Sequence, residues 1–320
     1  MTLRNFELAP PDLTPWRAGN TGVEGVWRFD SGQPGRELLV SALVHGNELC
    51  GAWALCSALQ AGLRPRRGAL TLMFANLEAF DRFDPGAPDG SRFVDTDMNR
   101  LWGEMAWRHA PAAHGSEHRR VLALAPFVER STWLLDLHSM HEEGAPLGLC
   151  GPLPHHAAQA LRLGAPALVV ADAGHRAGRR MRDHGAYGDA TQTEHFALLV
   201  ECGFHGAPSS VAVAHDLLAR FLVASGAVDD SDLPAGWRSV APAPAQRLLT
   251  VTEAVTVGAG EPPRLARAWR SGETVPQAGT LVGWSGGQPV LTPYEHCVLI
   301  MPTLVHAAPG ATLVRFAREA

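Results

Sequence analysis

The residues best suited to chemistry are His45-Gly46-Asn47-Glu48, which follow the apolar run Leu38-Leu39-Val40-Ser41-Ala42-Leu43-Val44. An imidazole and a carboxylate three residues apart, carried across a strand-to-helix turn, can converge on one divalent ion. Zinc accepts both donor types, and a catalytic zinc keeps one position open. The spacing alone is cheap. The chain has 15 histidines, and His114-Gly115-Ser116-Glu117 repeats the pattern. That second copy lies in a polar, Pro/Gly-containing loop with no strand leading into it, whereas ligands in α/β proteins gather at the C-terminal ends of strands. Taken alone, the His45 pair reads either as a metal site or as a helix-capping turn.

Two further apolar runs end as the first does: Trp133 to Leu137 runs into His138, and Phe196 to Val200 runs into Glu201. If these are parallel strands, their C-terminal ends share one edge of a sheet, and His45, Glu48, His138 and Glu201 can meet there. Two imidazoles and a carboxylate form the ligand set of hydrolytic zinc enzymes. Glu201 is then left as a general base. Zinc lowers the pKa of the water it binds towards ~7, and a neighbouring carboxylate can take the proton as that water attacks a carbonyl. Singly, a strand-ending histidine is more often structural, and Glu201 can equally pair with an arginine. Three such endings in one chain favour a site.

The elements that must position these groups are legible. Val23 to Phe29, Glu37 to Val44 and Ala69 to Phe74 read as strands, with a helix from Glu48 to Ala61 between the second and third. A long loop over residues 84–97 precedes Asp97-Met98-Asn99-Arg100, and a polar helix covers about Ser116 to Arg130. Weaker strands cover Leu147 to Cys150 and Ala167 to Val170. Gly174 to Asp189 is a Gly- and Arg-rich connection of the kind that forms lids. Ser209 to Val223 reads as a long amphipathic helix. Strands alternating with helices imply βαβ units and a largely parallel sheet. Residues 225–246 read as a linker. Short alternating runs beyond Arg247, broken by Gly and Pro, imply an all-β module. The expected division is a zinc-dependent catalytic domain over 1–238 and an all-β domain over 239–320.

Composition narrows the function. A net charge of −5 and a pI near 6.3 give no electrostatic case for nucleic acid. No apolar run is long enough to span a membrane. The N-terminus has no apolar core after its positive charge, so no signal peptide is expected. Cys50, Cys56, Cys150, Cys202 and Cys297 form an odd set without a Cys-x-x-Cys pair. That argues against a disulfide framework and for the cytoplasm. All 27 basic residues are arginine, which weakens any single arginine as a sign of carboxylate recognition.

His45-Gly46-Asn47-Glu48, Asn76, the stretch Arg92-Phe93-Val94-Asp95-Thr96-Asp97-Met98-Asn99-Arg100-Leu101, Asp136-Leu137-His138 and Glu201-Cys202-Gly203 together resemble the succinylglutamate desuccinylase/aspartoacylase family. The resemblance covers roughly residues 36–225 in order. It implies a zinc amidohydrolase on the metallocarboxypeptidase fold, a mixed, mostly parallel sheet flanked by helices. It also implies roles: His45, Glu48 and His138 hold one zinc per chain, Glu201 is the general base, and Arg92 stabilises the oxyanion. Asn99 and Arg100 grip a substrate carboxylate, for which guanidinium offers bidentate geometry. Tyr294, in a terminal segment similar to that of the desuccinylases, is the candidate tyrosine that faces substrate. One feature departs from the family. Aspartoacylases carry a further arginine shortly before the catalytic glutamate, but no Arg or Lys lies between Asp183 and Glu201 here. Arg179, Arg180 and Arg182 are the nearest substitutes, and His205 is a further candidate to line the pocket.

The reading is therefore a hydrolase of N-acyl amino acids, small-molecule amides, with a homo-oligomer left open. Two alternatives stand beside it: a metallocarboxypeptidase acting on small peptides, and a metal-binding relative without activity.

Overall fold

A computed structural model describes residues 6–103, 115–175, 178–239, 244–305 and 307–320. In chain order its strands and α-helices are β1 (Val26–Asp30), β2 (Glu37–Ala42), α1 (Leu49–Gln60), β3 (Ala69–Phe74), α2 (Leu77–Phe80), α3 (Ser116–Arg130), β4 (Trp133–Met140), β5 (Leu147–Cys150), α4 (Pro154–Arg162), β6 (Leu168–Ala171), β7 (Phe196–Phe204) and α5 (Ser209–Ser225). The C-terminal part adds β8 (Arg247–Thr256), β9 (Arg264–Leu265), β10 (Glu273–Val275), β11 (Leu281–Ser285), β12 (Gln288–Leu291), β13 (Cys297–Ile300) and β14 (Thr312–Glu319).

Most strands join one sheet in the order β1-β3-β2-β4-β7-β5-β6-β8-β14-β13-β10. Its centre, β3-β2-β4-β7, is parallel, as the alternation of strands and helices predicts. Side chains alternate across the sheet. Leu38, Val40, Leu135, Leu137, Leu198 and Val200 therefore pack with α1, α4 and α5 on one face. Leu39, Met73, Leu134 and Ala197 pack with Val121, Leu124 and Val128 of α3 on the other. Continuous apolar runs are what a sheet covered on both faces requires.

Two expectations change. β4 runs on through Met140 and β7 through Phe204, so His138 and Glu201 lie within strands rather than ending them. Apolar run length cannot reveal this, because the backbone pairing His138↔Glu201 and Met140↔Phe204 continues past the polar side chains. The supposed linker also does not isolate a separate sheet. β8 pairs in parallel with β6, so the main sheet continues into the C-terminal part, and among the described residues only β12-β11-β9 form a sheet of their own. Among the described residues no helix is long and apolar enough to cross a membrane. All five cysteines are buried and unpaired.

Candidate metal centre

The turn after β2 is tightly specified. Leu43 adopts φ 59°, outside the usual range for a side-chain-bearing residue. Gly46 has no room for a Cβ, which would fall 2.4 Å from Ala79 C and Ser91 O. Its N–H donates to Arg92 O at 3.1 Å, so the turn is clamped to the loop that carries Arg92. Glu48 then occupies the N-cap position of α1. His138 and Glu201 project from β4 and β7 towards the α3 face, since their neighbours Leu137 and Val200 face α1. The pairing register is irregular between His138 and Met140, a distortion of the kind that re-aims side chains beside active sites.

These elements bring three groups together. His45 Nδ1 lies 2.7 Å from Glu48 Oε1 and His138 Nδ1 lies 2.7 Å from Glu48 Oε2. The ligand atoms of His45, Glu48 and His138 all fall within 4.8 Å of one another, and all three residues are buried. Each imidazole is engaged from behind. His45 Nε2 is 2.9 Å from Asp97 Oδ1, and His138 Nε2 is 2.9 Å from Asp136 Oδ2. A carboxylate on the outer nitrogen fixes the tautomer and raises the basicity of a metal-ligating histidine. The donor set of two Nδ1 atoms and a carboxylate fits zinc. Burial opposes charge on Glu48, yet His45 and His138 outweigh it and hold the carboxyl well below its usual range. Burial likewise opposes charge on His138, but Asp136 and Glu48 carry it well above the ordinary histidine value.

Glu201 is register-matched to His138 and buried, with Oε2 lacking any protein partner. Burial, reinforced by Glu48, pushes its carboxyl up to about 8. Arg92 reaches the same place: Nη1 is 3.3 Å from Glu48 Oε1 and Nη2 is 3.5 Å from Asp97 Oδ2. Asn99 is buried and its Oδ1 accepts from Met181 N at 3.2 Å, tying this turn to the connection that carries Arg180 and Arg182. Arg100 lies 3.6 Å from Asp97 Oδ2 and 3.3 Å from His175 Nε2. Tyr294 is not brought to this cluster. Its hydroxyl meets Thr252 Oγ1 at 2.6 Å and its ring lies under Arg318. Arg318 and Arg315 lie three apart on β14, so they project to opposite faces, and Tyr294 is on the far side from Arg315.

Four residues to which the sequence reading assigned no role support the site. Asp97 and Asp136 lie inside the recognised stretches, so their signal was present but unassigned. Glu117, part of the repeated His-x-x-Glu whose His114 lies outside the described residues, is buried and accepts from the backbone of Val94, Asp95 and Thr96. With Asn76 Nδ2 also on it at 3.0 Å, Glu117 shapes the loop that presents Arg92 and Asp97. Arg315, on β14 in the C-terminal part, carried no signal at all. It is buried beside Arg180 and shares Asp172 with it, at 3.5 Å and 2.8 Å. Arg315 Nη2 donates to His175 Nε2 at 2.8 Å. Arg182 is buried alongside, its Nη2 on Asp172 O at 2.7 Å. Arg180 Nη1, Arg182 Nη1 and Nε, and Arg315 Nε have no hydrogen-bond partner.

Residues 34–208 match the profile of the succinylglutamate desuccinylase/aspartoacylase catalytic domain. The chain belongs to this family. The fold agrees over most of the chain. A succinylglutamate desuccinylase/aspartoacylase from Rhodobacter sphaeroides superposes with a TM-score of 0.63 at 16% identity, covering 90% of this chain and 87% of that one. The succinylglutamate desuccinylase from Chromobacterium violaceum gives 0.60 at 19%, covering 93% and 89%. The ectoine utilization protein EutE (DoeB) from Ruegeria pomeroyi, in a product-bound structure, gives 0.60 at 16%, covering 89% and 86%. No curated protein sequence matches the chain significantly. Family membership makes this a hydrolase of the desuccinylase/aspartoacylase type.

Proposed function

We propose that the protein is a zinc-dependent hydrolase that cleaves the amide bond of an N-acyl amino acid. The observation that carries this reading is the convergence of both Nδ1 atoms on Glu48, each ring backed by an aspartate, with Glu201 at the same level on the next strand. Bound zinc would supply Lewis-acid activation of water and of the acyl carbonyl. Glu201 takes a proton from water through Oε2, the oxygen without a protein partner, and returns it to the leaving nitrogen. The upward push on its carboxyl suits a group that must both accept and release a proton near neutrality.

Arg92 donates to the developing oxyanion, a contribution worth roughly 3–4 kcal/mol for a preorganised donor. Arg100 holds the amino-acid carboxylate, with the Asn99 amide beside it. Arg180 and Arg315 stand behind Arg100 as further donors to anionic groups. In this reading the division at residue 238 separates a catalytic part from a β part that still reaches the site through Arg315, and Tyr294 takes no part. The five unpaired cysteines suit a cytoplasmic setting. Met301, Pro302 and Thr303 of the β part wall a hollow beside His141, and such walls near the site favour a small amide over a peptide.

The test is metal analysis followed by a hydrolysis screen over N-acyl amino acids. One zinc per chain and release of free amino acid are expected. Absence of zinc after reconstitution overturns the reading, and preferential release of C-terminal residues from peptides replaces it with a carboxypeptidase.

A further inference from the structure

We infer that His141, backed by Asp89, is a positioning residue that orients the guanidinium of Arg92 towards the reacting carbonyl. The inference rests on the amide-hydrolase reading and deepens it, adding to that site two residues outside its sequence motifs.

The three residues close a ring of contacts. Pro88–Ser91 form a 3-10 turn that Arg92 caps, its N–H donating to Asp89 O at 3.3 Å. With Gly46 N–H on Arg92 O, this fixes the main chain at Arg92. The guanidinium, at the end of a long flexible stem, needs a restraint of its own. His141 supplies it. It follows directly on β4, and its Nε2 lies 3.4 Å from Arg92 Nη1 while its Nδ1 lies 3.1 Å from Asp89 Oδ1. Asp89 Oδ1 also receives Asn47 Nδ2 at 3.5 Å, from the turn between His45 and Glu48. The side chains of Arg92 and His141 are largely buried, and the His205 ring packs nearly perpendicular to that of His141, centroids 4.5 Å apart.

These contacts fix the proton on the ring. An arginine side chain can only donate. His141 Nε2 is therefore the acceptor, and Nδ1 carries the hydrogen that faces Asp89. A carboxylate behind an imidazole holds its tautomer and makes the far nitrogen a better acceptor. Arg92 has two other partners, Glu48 Oε1 at 3.3 Å and Asp97 Oδ2 at 3.5 Å. Both are carboxylates, and both hold His45 more closely, at 2.7 Å and 2.9 Å. A carboxylate partner offsets the guanidinium charge, and that charge is what stabilises a developing oxyanion. A neutral imidazole steers the same N–H groups and leaves the charge for the substrate. At 3.4 Å the His141 contact is long, so its value lies in direction rather than strength.

The experiment is a double-mutant cycle on the zinc-loaded protein, with N-acetyl-, N-butyryl- and N-succinyl-L-glutamate as probes. His141→Phe should lower kcat roughly tenfold, the value of one hydrogen bond, with KM changed by less than about twofold and zinc retained. His141→Gln, whose amide oxygen can accept from Arg92 in place of Nε2, should recover most of the loss. In an Arg92→Met background the His141→Phe change should cost nothing further, because the group it positions is gone. Asp89→Ala, on a half-exposed turn, should reproduce part of the kcat loss and covers the case in which the phenylalanine variant fails to fold. A second readout needs no turnover: long-range proton–nitrogen NMR spectra of the histidine rings, assigned by difference from His141→Gln, should show the Nδ1–H tautomer in the wild type. An Nε2–H tautomer, or an equal His141→Phe loss with and without Arg92, overturns the inference and leaves the amide-hydrolase reading standing. No turnover of any probe by the wild type, with the Nδ1–H tautomer in place, overturns that reading and leaves the clamp on Arg92 standing.

Discussion

At the metal end of the site, Glu48, Asp97, Asp136 and Glu201 surround the imidazoles of His45 and His138. At the guanidinium end, Arg100, Arg180, Arg182 and Arg315 surround Asp172 and His175. The first cluster has more carboxylate than it can match internally and the second more cation. Both are largely removed from solvent, where unmatched charge costs folding free energy. Such an arrangement is worth keeping only if each end binds its complement, a cation at one and carboxylate at the other. Arg92 and Asp97, 3.5 Å apart, lie where the two ends meet. A substrate with its carbonyl at one end and its carboxylate at the other fits that polarity.

The comparison breaks most completely at His138. His138→Ala removes one of the converging nitrogens, and we expect zinc occupancy near zero by metal analysis with activity lost alongside it. Full occupancy in that variant would mean that His138 is not a ligand. Glu201→Gln is expected to keep about one zinc per chain while kcat falls by roughly 10²–10⁴-fold. Unchanged turnover would remove Glu201 from the mechanism. A smaller change sharpens the role of the outer carboxylates. Asp136→Asn leaves every ligand in place but weakens the partner of His138 Nε2, so zinc affinity should drop by about 10–100-fold in a competitive chelation titration.

The metal end was far more legible in the sequence than the guanidinium end, and the reason is physical. His45, Glu48, His138 and Glu201 sit on or beside parallel strands whose apolar runs announce them, and a parallel sheet places strand ends together without further information. Asp97 and Asp136 come with them because they lie within the same short stretches. Arg315 reaches Asp172 only through the order β6-β8-β14, a pairing that local patterning does not encode. In a chain whose basic residues are all arginine, its type carried no signal either. The same ignorance of pairing made β4 and β7 look as if they ended at His138 and Glu201, and made β8 look like the start of a separate module.

Arg315→Met tests the imbalance at the legibly silent end. Removing a buried cation that shares one aspartate with Arg180 relieves uncompensated charge, so the ligand-free protein should melt at a higher temperature than the wild type. On the proposed reading the same change removes a donor to the substrate, and KM should rise by roughly 10–100-fold, the value of one or two charge-assisted hydrogen bonds. A variant less stable than the wild type would show that Arg315 belongs to a balanced structural network.

The smallest effect concerns His175, where the two ends should respond to acid in opposite senses. Burial first, then Arg180, Arg315 and Arg100, drive the His175 pKa far below 6.5. The folded protein therefore leaves this ring neutral at pH values where the unfolded chain protonates it. Stability from this source is intact above pH 6.5 and is lost progressively as the pH falls towards the lower folded-state value. His138, raised by Asp136 and Glu48, has the reverse linkage and loses its contribution only as the pH rises. His175→Gln retains an acceptor for Arg100 and Arg315 but cannot take up the proton. In metal-free protein its melting temperature should fall less between pH 6.5 and 5 than that of the wild type, and parallel curves for the two proteins would mean that the cations around His175 do not keep it neutral.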